Sequence, residues 1–283
     1  MLLITGSSGY LGRSFIKYYQ KNYEIRTFSK QNDSIESIDF KNVKTILHCA
    51  ALVHQKTEQP NEKYLDVNVR YPVELAKKAK DNGVKQFIFI STIAVYGEEY
   101  SLLDESLSCR PITFYGKSKL EAEKELLKLE SDDFILTIIR PPMIYGENAP
   151  GNIDSLIKIV RKTPLLPFAK ILNKRSFIYI ENLCYLINET IVKDEKGIFL
   201  ACDDQSVSLT RLIKLIALGL NKKIFLIKVP FFESLLKLLK PSIHKKLYTN
   251  LEINNTKTRE KLNLKNPYSI EEGIKFMIQG ELK

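Results

Sequence analysis

The sequence contains no tryptophan, no low-complexity tract and no apolar run near the ~18–20 residues that a membrane-spanning helix needs. Its first residues lack the basic region of a secretion leader, and their apolar run reads as a first strand instead. Only four cysteines occur, at 49, 109, 184 and 202, without the close spacing of a metal site. Free thiols in a cytoplasmic protein, and no bound metal, are the expectation. Acidic excess is also missing: 43 Lys and Arg against 33 Asp and Glu give a net charge of +10. Such a balance suits polyanionic partners (nucleic acid, an acidic membrane, small phosphorylated substrates), or is a solvated lysine-rich surface. What is present is a globular composition, 44% hydrophobic and 27% charged over 283 residues, enough for one large α/β domain and a smaller appendage.

The chain is organised around its first twelve residues. A short apolar run ends in Gly6, Gly9 and Gly12, after which Leu11, Phe15, Ile16 and Tyr19 recur at helical spacing. Strand, glycine turn and helix aim backbone N–H groups and a helix dipole at a pyrophosphate. Gly6 serves the tight turn, Gly9 the approach of phosphates, and Gly12 close packing of helix on strand. The spacing is Gly-x-x-Gly-x-x-Gly, not the simplest dinucleotide fingerprint, so its weight comes from the strand before it and the helix after it.

Beyond that point strands and helices alternate in units of 25–30 residues, the pattern of a doubly wound parallel sheet. Strands are expected at 23–28, 37–40, 43–51, 84–90 and 134–139, and a long amphipathic helix over 61–82 stopped by Gly83. The second strand ends in Phe28-Ser29-Lys30, with Arg26 just before and no carboxylate until Asp33. Hydroxyl plus cation suits the 2′-phosphate of NADPH better than the ribose of NADH, though NADH stays open. Asp39 is a candidate adenine contact, and His48 reads as structural. Past residue 146 the pattern changes, so 1–146 reads as a dinucleotide-binding domain and 147–283 as a smaller substrate lobe that returns some segments to the first. The apolar and basic stretch 228–246 reads first as a core-packing helix with a lysine rim, and second as a segment lying on an acidic membrane.

Tyr115 and Lys119 stand four residues apart on one helix face. An adjacent ammonium is expected to lower the phenol pKa, so that Tyr115 exchanges a proton near neutrality. Thr92, at the end of the fifth strand, offers a hydroxyl to a substrate carbonyl. Tyr-x-x-x-Lys is common by chance; following a glycine fingerprint and a Ser/Thr strand end, it carries meaning.

Thr5-Gly-Ser-Ser-Gly-Tyr-Leu-Gly12, His48-Cys-Ala-Ala51, Ser91-Thr-Ile-Ala-Val-Tyr-Gly97, Tyr115-Gly-Lys-Ser-Lys119 and Arg140-Pro-Pro-Met-Ile-Tyr-Gly146 together resemble the extended short-chain dehydrogenase/reductases, the epimerases, dehydratases and reductases of nucleotide sugars. The resemblance covers nearly the whole chain. It implies an α/β, doubly wound parallel Rossmann sheet with a smaller C-terminal substrate-binding lobe, and a catalytic triad of Thr92, Tyr115 and Lys119. It also implies a cofactor pocket lined by Gly6, Ser8, Gly9, Tyr10, Leu11, Gly12, Ser29, Lys30, Asp39, Phe40, Ala50, Ala51, Asn68 and Pro141, together with Tyr115 and Lys119. Sugar 4,6-dehydratases carry an Asp-Glu pair after the catalytic Thr; here Ile93 and Ala94 stand there and cannot move protons. The segments 141–152, 164–167 and 173–182 are most similar to short reductases of bacterial capsule and O-antigen assembly. Those reduce a UDP-2-acetamido-2,6-dideoxy-4-hexulose to UDP-N-acetylfucosamine or UDP-N-acetylquinovosamine. Arg175 matches their diphosphate-binding arginine, and Asn152 is a further substrate contact beside Thr92. The rival reading is a UDP-sugar 4-epimerase with tightly held NAD, against which the missing acid after strand two and the short lobe argue mildly. A remote one is a non-enzymatic nucleotide sensor or RNA binder; such relatives lose the Tyr-x-x-x-Lys pair, intact here, and no nucleic acid partner is expected. A homodimer through the helices over 61–82 and 115–129 is implied by resemblance.

Overall fold

The computed structural model describes residues 1–29, 34–53 and 60–280, apart from the side chain of Asn152. The first half runs β1 (Leu2–Thr5), α1 (Tyr10–Tyr19), β2 (Ile25–Phe28), β3 (Thr45–His48), α2 (Asn61–Leu65), a π turn (Asp66–Arg70), α3 (Tyr71–Asp81), β4 (Gln86–Ile90), β5 (Leu102–Leu103), α4 (Phe114–Leu127) and β6 (Ile135–Arg140). There follow β7 (Met143–Tyr145), α5 (Asn152–Lys162), β8 (Leu165–Leu166), β9 (Phe177–Tyr179), α6 (Ile180–Val192), β10 (Gly197–Leu200) and α7 (Leu209–Gly219). The chain closes with β11 (Phe225–Leu226), α8 (Phe232–Leu239), α9 (Pro241–Tyr248), β12 (Glu252–Ile253), α10 (Thr256–Leu262) and α11 (Ile270–Gln279).

Six strands make one all-parallel sheet in the order β10-β6-β4-β3-β1-β2. Apart from the edge strand β2, their near-continuous apolar runs suit strands covered on both faces. Leu2 and Ile4 of β1 point into the cluster formed with α1 and α6, while Leu3 points into the one containing α3 and α4 residues Leu75, Ala76, Ala122 and Leu126. The order reverses between β1 and β3, so the crevice beyond their carboxyl ends is where an open α/β sheet receives a ligand. β10 comes from well past residue 146, so the C-terminal half of the chain adds a strand to the sheet.

The expected strand over 37–40 is absent. Ile35–Ser37 is a 3-10 turn capped by the Ser34 hydroxyl, and Ile35 and Phe40 plug into the core beside Phe28. Asp39 is drawn aside by Arg26, whose guanidinium lies 3.3 Å from its carboxylate, and by the Lys41 N–H. No ladder partner holds the segment extended. The expected single helix over 61–82 is interrupted by the π turn, a break that often re-aims side chains at a site.

Candidate active site

β1 ends at Thr5, and Gly6 turns the chain at φ +71°, where an added Cβ would lie 2.5 Å from the Ala50 nitrogen. A Cβ on Gly12 would strike the Gly6 carbonyl oxygen, so both glycines let the turn, α1 and the end of β3 close on one another. Gly9 is exposed, and a Cβ there would meet only that same carbonyl oxygen. Its residue caps α1 with no side-chain hydrogen bond, and the first turn holds no acid. Uncapped N–H groups and an open glycine therefore face the crevice, an anion site ready-made. Ser8 is exposed at the turn and Tyr10 half-buried, whereas Leu11 packs into the core.

Thr92 follows β4 and caps a 3-10 turn over Ile93–Tyr96 by accepting a hydrogen bond from the Ala94 N–H at 3.2 Å. α4 is capped by Thr113 and presses its first turn onto this one. Gly116 allows that approach, since a Cβ there would lie 2.8 Å from the Ala94 carbonyl oxygen. The contact brings the Tyr115 phenol beside the Thr92 side chain. One turn on, Lys119 is 1% exposed, with its Nζ 3.7 Å above the centre of the Phe89 ring and no hydrogen-bond partner among the described residues. The three expected catalytic side chains thus converge at the carboxyl end of β4.

The electrostatics depart from expectation. Burial pushes the Tyr115 phenol up to about 12, with only the neighbouring Thr92 side chain pulling it down. Burial also presses Lys119 down to about 7 against the opposing pull of Glu123. A half-charged ammonium is a weak lever on its neighbour, so the phenol is not drawn toward neutrality as the spacing implied.

Behind the triad stands a network that the sequence reading did not assign. Glu123, one turn beyond Lys119, accepts two hydrogen bonds from the Arg140 guanidinium, at 3.0 and 2.5 Å, and one from the Ser91 hydroxyl. Arg140 also donates to the Tyr96 hydroxyl at 2.7 Å, and both ionic partners are buried. The available signals were Glu123 at i+4 from Lys119 and a cation ending an apolar strand. Asn68, at the centre of the π turn, clamps the Leu52 backbone through both its N–H and carbonyl. It also donates at 3.0 Å to the Ser118 hydroxyl, which bonds the Tyr115 carbonyl. The Pro141 carbonyl accepts from the Ile93 N–H, tying the end of β6 to the 3-10 turn.

Other expected positions fall elsewhere. Ala50 and Ala51 follow β3 beside the glycine turn, and His48 is buried between Phe87, Phe89 and Tyr71, with its pKa pushed down to about 3 by burial. Phe40 is a core residue and Asp39 is engaged by Arg26, while Ser29 follows β2 and Lys30 lies outside the described residues. Asn152 opens α5. Arg175 is half-buried in the lobe, bridged to Val207 and Leu251, and donates to the Thr249 carbonyl at 3.3 Å. No carboxylate among the described residues pairs with it.

These residues fit a nicotinamide dinucleotide. An orphaned buried ammonium can donate to ribose hydroxyls, and the uncapped α1 terminus can take the pyrophosphate.

A sequence model of the NAD dependent epimerase/dehydratase family matches residues 2–199. A Vibrio cholerae protein described as UDP-glucose 4-epimerase is 34% identical over 100% of this chain and 95% of its own length. Among solved structures, the UDP-glucuronic acid 4-epimerase of Bacillus cereus in complex with NAD superposes with a TM-score of 0.77 at 17% identity, covering 99% of this chain and 97% of that one. The dTDP-4-dehydrorhamnose reductase of Bacillus anthracis in complex with NADP gives 0.76 at 22% identity, covering 99% of both chains. At these identities the two structures speak for the fold.

Proposed function

Because the chain belongs to the NAD-dependent epimerase/dehydratase family, we propose that it works on C4 of a UDP-hexose or UDP-N-acetylhexosamine, interconverting the two C4 epimers. The observation that carries this reading is the end-to-end likeness to a UDP-glucose 4-epimerase, which spans the triad and the C-terminal lobe alike. Bound nicotinamide supplies the acceptor and donor of hydride at C4. Tyr115 holds the proton exchanged with the sugar O4, accepting it as the alcohol is oxidised and returning it as the ketone is reduced. Thr92 hydrogen-bonds both this phenol and the O4 atom, where negative charge develops. Lys119 binds the ribose and, when protonated, favours the phenolate. Arg175 takes the UDP diphosphate with its forked donors. Ile93 and Ala94 leave no acid–base pair for water elimination, so the sugar keeps its C6 oxygen.

A second reading is net reduction of a UDP-4-keto-2-acetamido-2,6-dideoxyhexose to UDP-N-acetylfucosamine or UDP-N-acetylquinovosamine with NADPH. It is favoured by the end of β2, Phe28-Ser29, where no carboxylate stands to meet the ribose hydroxyls of NAD. One set of assays separates the two. UDP-glucose and UDP-N-acetylglucosamine, incubated with the protein and NAD, are followed by proton NMR. The 4-keto sugar is incubated with NADPH or NADH and followed by absorbance. Appearance of the galacto epimer without net change in cofactor redox state supports the epimerase. Stoichiometric loss of NADPH absorbance with no epimerisation replaces it with the reductase. In either case Tyr115→Phe should lower kcat by about 10²–10⁴-fold while leaving the circular dichroism unchanged.

A further inference from the structure

The stretch 228–246 was expected to be a core-packing helix, and the structure overturns that. No residue of α8 or α9 is buried. α8 turns Phe232 inward, edge-on to Phe168 at 6.0 Å, and sends its other apolar stripe outward. Phe231, Leu235, Leu238 and Leu239 are 85, 54, 79 and 66% exposed, and their spacing of i, i+4, i+7, i+8 makes one continuous face, which Ile243 of α9 extends in sequence. Phe231 adopts φ +61°, a strained setting for a bulky side chain, and its ring is left in solvent.

The charge around this face has one sign. Residues 228–246 hold Lys228, Lys237, Lys240, Lys245 and Lys246 against a single carboxylate, Glu233, which His244 engages at 3.2 Å. Lys245 pairs with Glu98, while the other four lysines have no carboxylate partner among the described residues. A second copy of the same face would set these lysines against their like, which disfavours self-association there. An apolar stripe rimmed by unpaired cations complements an anionic lipid surface.

We propose that the α8–α9 hairpin docks the protein on the surface of an anionic phospholipid bilayer. Phe231, Leu235, Leu238 and Leu239 enter the boundary between headgroups and acyl chains, and the lysines lie on the headgroup phosphates. The hairpin lies flat and does not span: no helix among the described residues is long and apolar enough to cross a membrane. The proposal does not depend on which sugar is the substrate.

The test is co-sedimentation of the full-length protein with sucrose-loaded vesicles of phosphatidylcholine alone or mixed with phosphatidylglycerol. Two variants, Phe231→Ser/Leu235→Ser/Leu238→Ser and Lys237→Glu/Lys240→Glu, run alongside at ~0.1 M and ~1 M salt. Light scattering reports the oligomeric state, and circular dichroism melting reports the fold. Binding to the anionic vesicles, lost at high salt and reduced at least about ten-fold in each variant with melting unchanged, is the expected result. Failure to sediment with anionic vesicles overturns the proposal. So does binding that the variants leave intact. An oligomer that the triple-serine variant dissociates, with no vesicle binding by the parent, would assign the stripe to a second copy and overturn it as well.

Discussion

Lys119 is an amine buried to 1% exposure without a hydrogen-bond acceptor among the described residues. Burial lowers its pKa to about 7, whereas the unfolded chain protonates near 10. Below pH 7 both states bind the proton, and the cost of burying the charge is paid in full. As the pH climbs from about 7 toward 10 the folded state sheds that proton first, and the cost is relieved. Lys119→Met should therefore raise the melting temperature by a few degrees at pH 6–7, with the gain shrinking toward pH 10, while activity is lost. A variant that melts lower than the parent at pH 6 would show that the ammonium is already satisfied in the folded protein. Tyr115 sits at the opposite extreme, held protonated by burial, whereas the first half of the proposed epimerisation, oxidation of the C4 alcohol, requires the phenolate that a protonated Lys119 favours.

At the level of elements, the end of β4, the third turn of α4 and the end of β6 are joined by the buried pair of Glu123 and Arg140. Ser91 from the β4 end and Tyr96 from the 3-10 turn complete its hydrogen bonds. Removing one member strands the other charge in the interior, which costs about 3–5 kcal/mol, whereas replacing both by apolar groups costs far less. Urea unfolding of Glu123→Leu and Arg140→Met should show losses of that size for each single change. The double variant should be markedly more stable than the sum of the two predicts; strict additivity would mean that the two side chains act independently. Loss of the pair should also lower kcat, because the same α4 face that carries Glu123 carries Tyr115 and Lys119.

Across the whole molecule, Asp203, just past the sheet's last strand in sequence, gathers elements of the C-terminal half. Its carboxylate accepts from the Tyr145 hydroxyl at 2.7 Å, the Tyr179 N–H at 3.0 Å and Asn182 at 2.8 Å, joining β7, β9 and α6 just beyond β10. Burial nevertheless lifts its pKa to about 6. The folded state keeps this proton up to about pH 6, the unfolded chain only to about 4, so stability falls as pH rises across that window. Asn at 203 removes the titrating group and keeps its acceptor. Urea midpoints taken from pH 4 to 7 should show the difference between Asp203→Asn and the parent changing by on the order of 3 kcal/mol, in the variant's favour at the higher pH. A constant difference would place the carboxylate's titration outside the window.

Much of the fold, and the placing of Thr92, Tyr115 and Lys119 at one strand end, could be read directly from the residues. The glycine turn, the alternation of apolar strands with helices and the Tyr-x-x-x-Lys spacing are local patterns, and local sterics and periodicity suffice to produce them. The missing strand at 37–40 was beyond such reading, because an edge strand exists only if a partner ladder holds it, and here Asp39 is pulled toward Arg26. The same holds for the pKa values of Tyr115 and Lys119, since spacing along a helix fixes which groups meet but not how much water they lose. It holds too for α8, whose two apolar stripes look alike in sequence. Which one faces the core depends on what packs against it, and that is a contact between segments distant along the chain.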